Sequence, residues 1–143
     1  MNAILFHIPH ASTVIPERYR QDFLPCLEEN ILHMTDWYTD ELFDFDLGDR
    51  LVFPVSRLVC DPERFRDDDE EEMAEIGMGA VYRTGYDLSP LRHALPPDER
   101  EEILRTYYDP HHRELERMTG ERLARFRRCL IMYTLCFAII VPA

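Results

Sequence analysis

Two short segments of the sequence carry side chains suited to binding a metal ion. His10 follows the apolar run at residues 3–8, and a ligand at the end of a strand is held by a rigid element. Asp36 and Asp40 are four residues apart, so they share a face if the segment is helical. Histidine nitrogen combined with carboxylate oxygen suits zinc. The simpler alternatives are a loop histidine, an N-cap role for Asp36 and a surface charge at Asp40.

A third segment combines two arginines with an aspartate. Arg57 lies in the apolar stretch at residues 55–60, where an unpaired charge is costly, so it needs a carboxylate from the protein or from a substrate. Arg64 follows a turn, and its planar guanidinium suits bidentate binding of a carboxylate. A plain ion pair between Arg57 and Asp61 is the alternative. A local arginine cluster of this kind is what a small anionic substrate requires in a protein whose net charge is also negative.

The composition limits the classes of partner. The formal net charge of −12 argues against nucleic acid, because binding to phosphates requires clustered lysine and arginine. None of the four cysteines forms a C-x-x-C pair, which favours free thiols in a reducing compartment. The longest apolar run, residues 129–141, is short for a membrane span, and the amino terminus lacks a basic region typical of a signal peptide. We therefore expect a cytoplasmic protein with no nucleic-acid or membrane partner.

The strands that would position these residues are predicted from short apolar runs. Residues 3–8, 51–53 and 55–60 are typical of extended segments, with Pro54 as a bend between the last two. Together with the helices below, they predict an α/β fold with a partial mixed sheet and flanking helices.

Helices are predicted on either side of a long polar segment. Residues 27–34 favour a helix, and Asp36 favours the N-cap of a second helix at 37–45. In residues 61–96, which are long for a loop, the acidic run at 67–72 is typical of a solvated surface. From Pro97 a helical pattern continues to about residue 128, and we expect Pro110 to kink or split it.

Five motifs, in this order, resemble the N-formylglutamate amidohydrolase family. They are His10-Ala-Ser12 with Pro16; Thr35-Asp36-Trp37 with Asp40-Glu41-Leu42; Ser56-Arg57-Leu58-Val59 with Asp61-Pro62-Glu63-Arg64-Phe65; Gly77-Met78-Gly79-Ala80-Val81-Tyr82; and Tyr107-Tyr108-Asp109-Pro110-His111-His112. The resemblance covers about residues 4–131, which is roughly the first half of a family member.

The resemblance implies a zinc-dependent hydrolase with a fold similar to the zinc carboxypeptidases and aspartoacylases. Such an enzyme cleaves N-formyl-L-glutamate to formate and L-glutamate in histidine degradation. By this likeness His10 is the first zinc ligand and Asp36 the acidic ligand, with Asp40 as the alternative.

The substrate contacts are also taken from the resemblance. Arg57 and Arg64 are expected to bind the two carboxylates of the substrate. The Asp61-x-x-Arg64 segment resembles a D-x-N-R element that holds a substrate carboxylate in aspartoacylase-like relatives, although Glu63 replaces the asparagine here. His112 is expected at the substrate site because the family places a histidine there.

The match to the family ends after Ile131. A family member should continue with a D-x-H-S element that carries the last zinc ligand, followed later by a general-base glutamate, yet no histidine follows His112. Deleting one base from plausible codons for Ile-Asp-Val-His-Ser gives Ile-Met-Tyr-Thr-Leu, which is the sequence at 131–135. We therefore expect residues 1–131 to be the amino-terminal part of an amidohydrolase domain and 132–143 an out-of-frame hydrophobic tail; the alternative is a genuine short protein that ends in a hydrophobic strand. This chain should then be inactive as a hydrolase.

Two other functions are compatible with the sequence. One is a small acidic binding module without enzymatic activity that uses the helices at 98–128. The other is a hydrolase that acts on a different N-acyl amino acid.

Overall fold

Three parallel strands form the sheet of this computed structural model, which describes residues 2–44 and 46–134. The strands are β1 (Ile4–Ile8), β2 (Asp49–Val52) and β3 (Leu130–Tyr133), and the sheet has the order β2-β1-β3. Both neighbours pair with β1 in parallel. The α/β class is confirmed. The predicted mixed sheet is wrong for the described residues, because each strand is reached through a helical connection that returns the chain to the same end of the sheet.

Helices fill the two connections between the strands. They are α1 (Glu17–Arg20), α2 (Leu27–Met34), α3 (Thr39–Leu42), α4 (Pro97–Ile103) and α5 (Asp109–Phe126). A 3-10 turn (Glu72–Ala74) lies in the long polar segment, and a π-helical segment (Leu104–Tyr108) joins α4 to α5. In the described part of the chain, no helix has the length and apolar character needed to cross a membrane.

The segment after α2 differs from the predicted helix at 37–45. Only α3 forms there, and it follows Tyr38, which has a positive φ of 63°. The backbone N–H of Asp36 donates to the His10 carbonyl at 3.0 Å, which ties this segment to the loop after β1. Asp36 is therefore not the N-cap that the sequence favoured, and its side chain is left to face His10.

Residues 55–60 do not form the predicted strand, although all of them except the partly exposed Arg57 are buried. The Ser56 carbonyl accepts a hydrogen bond from the Val59 N–H at 2.9 Å, which closes a turn. Leu58, Val59 and Cys60 are fully buried in the hydrophobic core. The apolar run therefore reflects burial of side chains without strand pairing, a distinction that periodicity cannot make for short runs.

The helical pattern from Pro97 continues past Pro110 without a break. Proline has no N–H to donate inside a helix. The π-helical segment Leu104–Tyr108, whose hydrogen bonds span one more residue than those of an α-helix, lies just before Pro110 and accommodates the missing donor. Helix α5 then packs on the sheet through Arg122, whose side chain is buried. Arg122 donates to the carbonyls of Ile4 and Met118 and forms an ion pair with Asp49.

Two further expectations concern the acidic run at 67–72 and the hydrophobic tail at 132–143. Five residues of the acidic run 67–72 are exposed as predicted, but Glu71 is buried and accepts hydrogen bonds from the N–H groups of Phe65 and Met73. The proposed tail at 132–143 begins inside β3, and its residues 135–143 lie outside the described part of the chain.

Candidate active site

Polar side chains from four segments converge where β1 ends. His10 follows β1 directly, Asp36 follows α2, and Asp61 follows the buried turn after β2. Tyr82 reaches the same point from the long polar segment. The carboxyl ends of parallel strands are the usual location of ligand sites in α/β sheets.

The two predicted metal ligands face each other. His10 is buried, and its Nδ1 lies 3.3 Å from Oδ2 of Asp36. Among the described residues neither of these atoms has a hydrogen-bond partner. Asp40, the alternative ligand, makes no ion pair with His10 in the described structure. Its backbone carbonyl accepts a hydrogen bond from Arg50 at 2.7 Å. The geometry therefore favours Asp36 over Asp40.

The other nitrogen of His10 is held by a fully buried carboxylate. His10 Nε2 lies 2.8 Å from Asp61 Oδ1, which also accepts from the Glu63 N–H at 2.9 Å. Burial alone would lower the pKa of His10, but the neighbouring Asp36 and Asp61 carboxylates outweigh this and raise it. Because an ionised carboxylate only accepts, Asp61 fixes a proton on Nε2, and the neutral imidazole that would bind a metal presents its lone pair on Nδ1.

Asp61 is engaged by the protein through both of its oxygens. It is not among the described residues that line the cavity. Burial alone would raise the pKa of Asp61, yet His10, Arg57 and Tyr82 outweigh it and hold the pKa well below its usual range. In the described structure Asp61 therefore orients His10 and Arg57, and the expected substrate contact at Asp61 stays a prediction.

Arg57 is anchored on one side and free on the other. Its Nη2 donates to Asp61 Oδ2 at 2.8 Å and to the Tyr82 hydroxyl at 2.8 Å, and its Nε donates to the same hydroxyl at 3.2 Å. Nη1 makes no hydrogen bond to any described residue, and the side chain lines the cavity. Burial works against the charge, but Asp61 and Tyr82 outweigh it and raise the pKa of Arg57.

Sequence reasoning missed Tyr82 as a member of the site. It was noted only within a family motif, because a lone tyrosine in an irregular segment has no spacing that points to Asp61. Its hydroxyl donates to Asp61 Oδ2 at 2.6 Å, and its side chain is fully buried.

The second predicted arginine is held loosely. Arg64 Nε lies 3.7 Å from Asp61 Oδ2, and Nη1 lies 3.9 Å from Glu71 Oε1. These are ion-pair distances without hydrogen bonds, so the donors of Arg64 remain available. Glu63 places Oε2 at 3.7 Å from His10 Nε2, and burial raises the pKa of this carboxyl.

A cavity of about 510 Å³ opens beside this network. Its described lining residues are His7, Arg57, Pro62, Glu63, Arg64, Phe65, Tyr108, His112, Leu115 and Tyr133. His112 donates from Nε2 to the Pro62 carbonyl at 2.9 Å and packs against the Tyr108 ring at 4.2 Å. The cavity therefore brings together Arg57, Arg64 and His112, the side chains predicted to contact substrate, at one face.

His7 and His111 form a second, separate histidine pair. Their Nε2 atoms are 2.8 Å apart, and both side chains are buried. The Phe53 ring meets His111 edge-on, and the Tyr133 ring meets His7 in the same way. The pair therefore joins β1 to α5.

The unpartnered atoms of His10 and Asp36 fit a metal ion. Two ligand atoms about 2.0–2.1 Å from a tetrahedral zinc are about 3.3 Å apart, which matches the separation of Nδ1 and Oδ2. A carboxylate behind the histidine, here Asp61, is the usual support for a zinc-bound imidazole. Within residues 2–44 and 46–134, however, no group of three or more histidine, cysteine or acidic side chains is arranged to hold a metal. The described residues supply two ligands.

Fold and site define an α/β protein with a buried histidine–aspartate pair and free arginine donors at the carboxyl end of a parallel sheet. The sequence model of the N-formylglutamate amidohydrolase family matches residues 2–137. The chain therefore belongs to the N-formylglutamate amidohydrolase family.

A solved structure shares this fold. The crystal structure of N-formylglutamate amidohydrolase from Ralstonia eutropha JMP134 at 2.00 Å resolution superposes with a TM-score of 0.83 at 18% sequence identity. The match covers 95% of this chain and 54% of that chain, so this chain spans about half the length of that relative. A search of curated proteins gave no match. The predicted likeness to zinc carboxypeptidases and aspartoacylases stays a prediction.

Proposed function

We propose that this chain carries the metal-binding and substrate-binding part of a zinc-dependent amidohydrolase. The reaction is hydrolysis of N-formyl-L-glutamate to formate and L-glutamate, a step in histidine degradation. The proposal depends on one observation: the Nδ1 of His10 and the Oδ2 of Asp36 face each other at 3.3 Å, buried and without another partner among the described residues. Family membership supports the choice of substrate.

The cavity beside this pair suits a small anionic substrate. Its volume of about 510 Å³ is within the usual range for small-molecule sites. Arg57 offers Nη1, and Arg64 offers donors that form no hydrogen bond within the described chain. Arg64 has the donors for two parallel hydrogen bonds to one carboxylate, and Nη1 of Arg57 can donate to the other, so the two arginines match the two carboxylates of N-formyl-L-glutamate.

Each residue contributes to holding the reactants in place. Asp61 fixes the proton of His10 on Nε2 and leaves Nδ1 as the lone pair that would bind zinc. When bound, zinc supplies Lewis-acid polarisation of the scissile carbonyl and activation of water. Arg57 and Arg64 orient the substrate, and correct orientation accounts for a large part of the rate enhancement in such reactions.

The site in the described residues offers fewer ligands than zinc hydrolases use. Catalytic zinc sites have three protein ligands, whereas His10 and Asp36 are two. We therefore expect weak retention of zinc and little or no hydrolysis by this chain alone.

Zinc titration against a chromophoric chelator tests the metal site directly. We expect binding by the wild-type chain and its loss in His10→Ala, because this substitution removes a ligand. The matched control is His33→Ala, since His33 is exposed and stacks on Tyr86 at 4.2 Å. Equal zinc affinity in the wild type and in His10→Ala would contradict the proposal.

Calorimetric titration with two ligands tests the substrate class. N-formyl-L-glutamate should bind more tightly than N-formyl-L-norvaline, which lacks the side-chain carboxylate. Equal affinities would favour a hydrolase for another N-acyl amino acid. Failure to bind either ligand, or zinc, would favour a non-enzymatic module.

A further inference from the structure

The Asp61 carboxylate connects the metal side of the site to its substrate side. Its Oδ1 accepts from His10 Nε2 at 2.8 Å and from the Glu63 N–H at 2.9 Å. Its Oδ2 accepts from Arg57 Nη2 at 2.8 Å and from the Tyr82 hydroxyl at 2.6 Å. These four donors fill the acceptor positions of an ionised carboxylate. A change at one oxygen therefore affects groups on both sides of the site.

The direction of every hydrogen bond to Tyr82 is determined. Asp61 can only accept, so the single proton of the hydroxyl goes to Oδ2. The lone pairs of the hydroxyl then accept from Arg57 Nη2 at 2.8 Å and from Nε at 3.2 Å. Burial raises the pKa of Tyr82, and the Asp61 charge adds to this, so the hydroxyl keeps its proton.

The hydroxyl explains why Arg57 presents one face to the cavity. Nε and Nη2 are both turned toward Tyr82 and Asp61, which leaves Nη1 as the donor without a partner among the described residues. Without the hydroxyl, Nε would have no described partner, and a single contact at Nη2 would allow the guanidinium to rotate. Such networks are strengthened when they are buried and fully satisfied.

We propose that Tyr82 is a positioning residue. Through Asp61, it fixes the side chains of the metal ligand His10 and the substrate arginine Arg57 relative to each other. This inference rests on the proposed function of His10 and Arg57. It goes further in assigning a role to a residue that touches neither metal nor substrate. Removal of the hydroxyl should therefore weaken metal binding and anion binding together, while leaving the fold intact.

Tyr82→Phe is the substitution that tests the coupling. Loss of a direct outer-shell partner of a metal ligand commonly weakens metal affinity by about 10–100-fold. Because Tyr82 acts on His10 through Asp61, we expect the lower end of this range, roughly tenfold. Affinity for N-formyl-L-glutamate should fall in parallel. The control is Tyr86→Phe, which removes a hydroxyl–carboxylate hydrogen bond of 2.8 Å to Glu29 outside the site. Thermal unfolding followed by circular dichroism should show that both variants are folded.

A spectroscopic measurement on the metal-free protein separates positioning from simple packing. The imidazole ¹⁵N shifts of His10 in the wild type should show that Nε2 is protonated and hydrogen-bonded to Asp61. In Tyr82→Phe they should move toward tautomer-averaged values, and in Tyr86→Phe they should not change.

The outcomes separate this inference from the proposed function. If the wild type binds no zinc but its His10 shifts depend on Tyr82, the proposed function fails and the positioning role stands. If zinc binds and Tyr82→Phe changes neither affinity nor shifts, the positioning role is overturned. Should Tyr82→Phe not fold, the wild-type spectrum still decides, because an unprotonated Nε2 in His10 would overturn the inference.

Discussion

The buried histidine pair should make the protein lose stability in mild acid. Burial lowers the pKa of His7 to about 4 and that of His111 to about 3, and the charges of neighbouring histidines add to the effect. In the unfolded chain each titrates near pH 6.5. Because the folded pair stays neutral, its contribution to stability is complete above pH 6.5 and is lost as the pH falls toward 4.

The size of the loss follows from proton linkage. Each histidine that is protonated only in the unfolded state costs about 1.4 kcal/mol for each pH unit below 6.5. Between pH 7 and pH 5 the two together should lower the free energy of unfolding by about 4 kcal/mol. Typical domains have only 5–15 kcal/mol in total, so the effect should be large enough to measure.

Urea unfolding near pH 7, 6 and 5 measures this slope. The double variant His7→Leu/His111→Phe removes both titrating groups and keeps apolar contacts with Phe53 and Tyr133. His10 has a raised pKa and contributes in the opposite direction, but it is present in both proteins and cancels in the comparison. The wild type should lose about 4 kcal/mol more than the double variant. Parallel pH dependence in the two proteins would refute the reasoning, and the exposed control His33→Gln should follow the wild type.

Three further predictions concern single residues. Arg57→Gln should weaken binding of N-formyl-L-glutamate by at least about tenfold in calorimetry, since it removes a charged donor from the cavity; unchanged affinity would exclude Arg57 as a contact. Arg122→Met should lower the free energy of unfolding by about 2 kcal/mol, because Ile4 and Met118 lose a buried donor; a neutral result in urea unfolding would argue against that anchor. Gly85→Ala should lower the melting temperature, because its Cβ would overlap the Asn30 side chain; an unchanged midpoint would contradict that packing.

Part of this site could be predicted because it follows simple local rules. His10 directly follows an apolar strand, and Arg57 is a charged residue within an apolar run. Both can therefore be identified as candidate site residues without knowledge of the fold. In the structure His10 lies next to Asp36, and Arg57 forms the ion pair with Asp61 that the sequence offered as the alternative to a substrate contact. For these two residues, the chemical type of the side chain and its position relative to an apolar run were sufficient to propose them as site residues.

The missed features depend on contacts that only the folded chain creates. Tyr82 meets Asp61 across 21 residues of irregular chain, and His111 meets His7 across 104 residues. Neither pair leaves a periodic signal. The supposed strand at 55–60 fails for a related reason, since burial in a turn and burial in a sheet select the same apolar side chains.

The proposed function requires His10 and Asp36 to be protein ligands of a zinc ion. X-ray absorption at the zinc edge of the zinc-loaded chain measures the atoms around the metal. We expect only nitrogen and oxygen neighbours at about 2.0–2.2 Å, and a changed spectrum in His10→Ala. A sulfur shell near 2.3 Å, or a spectrum identical in His10→Ala, would show that zinc binds elsewhere and that these two residues are not its ligands.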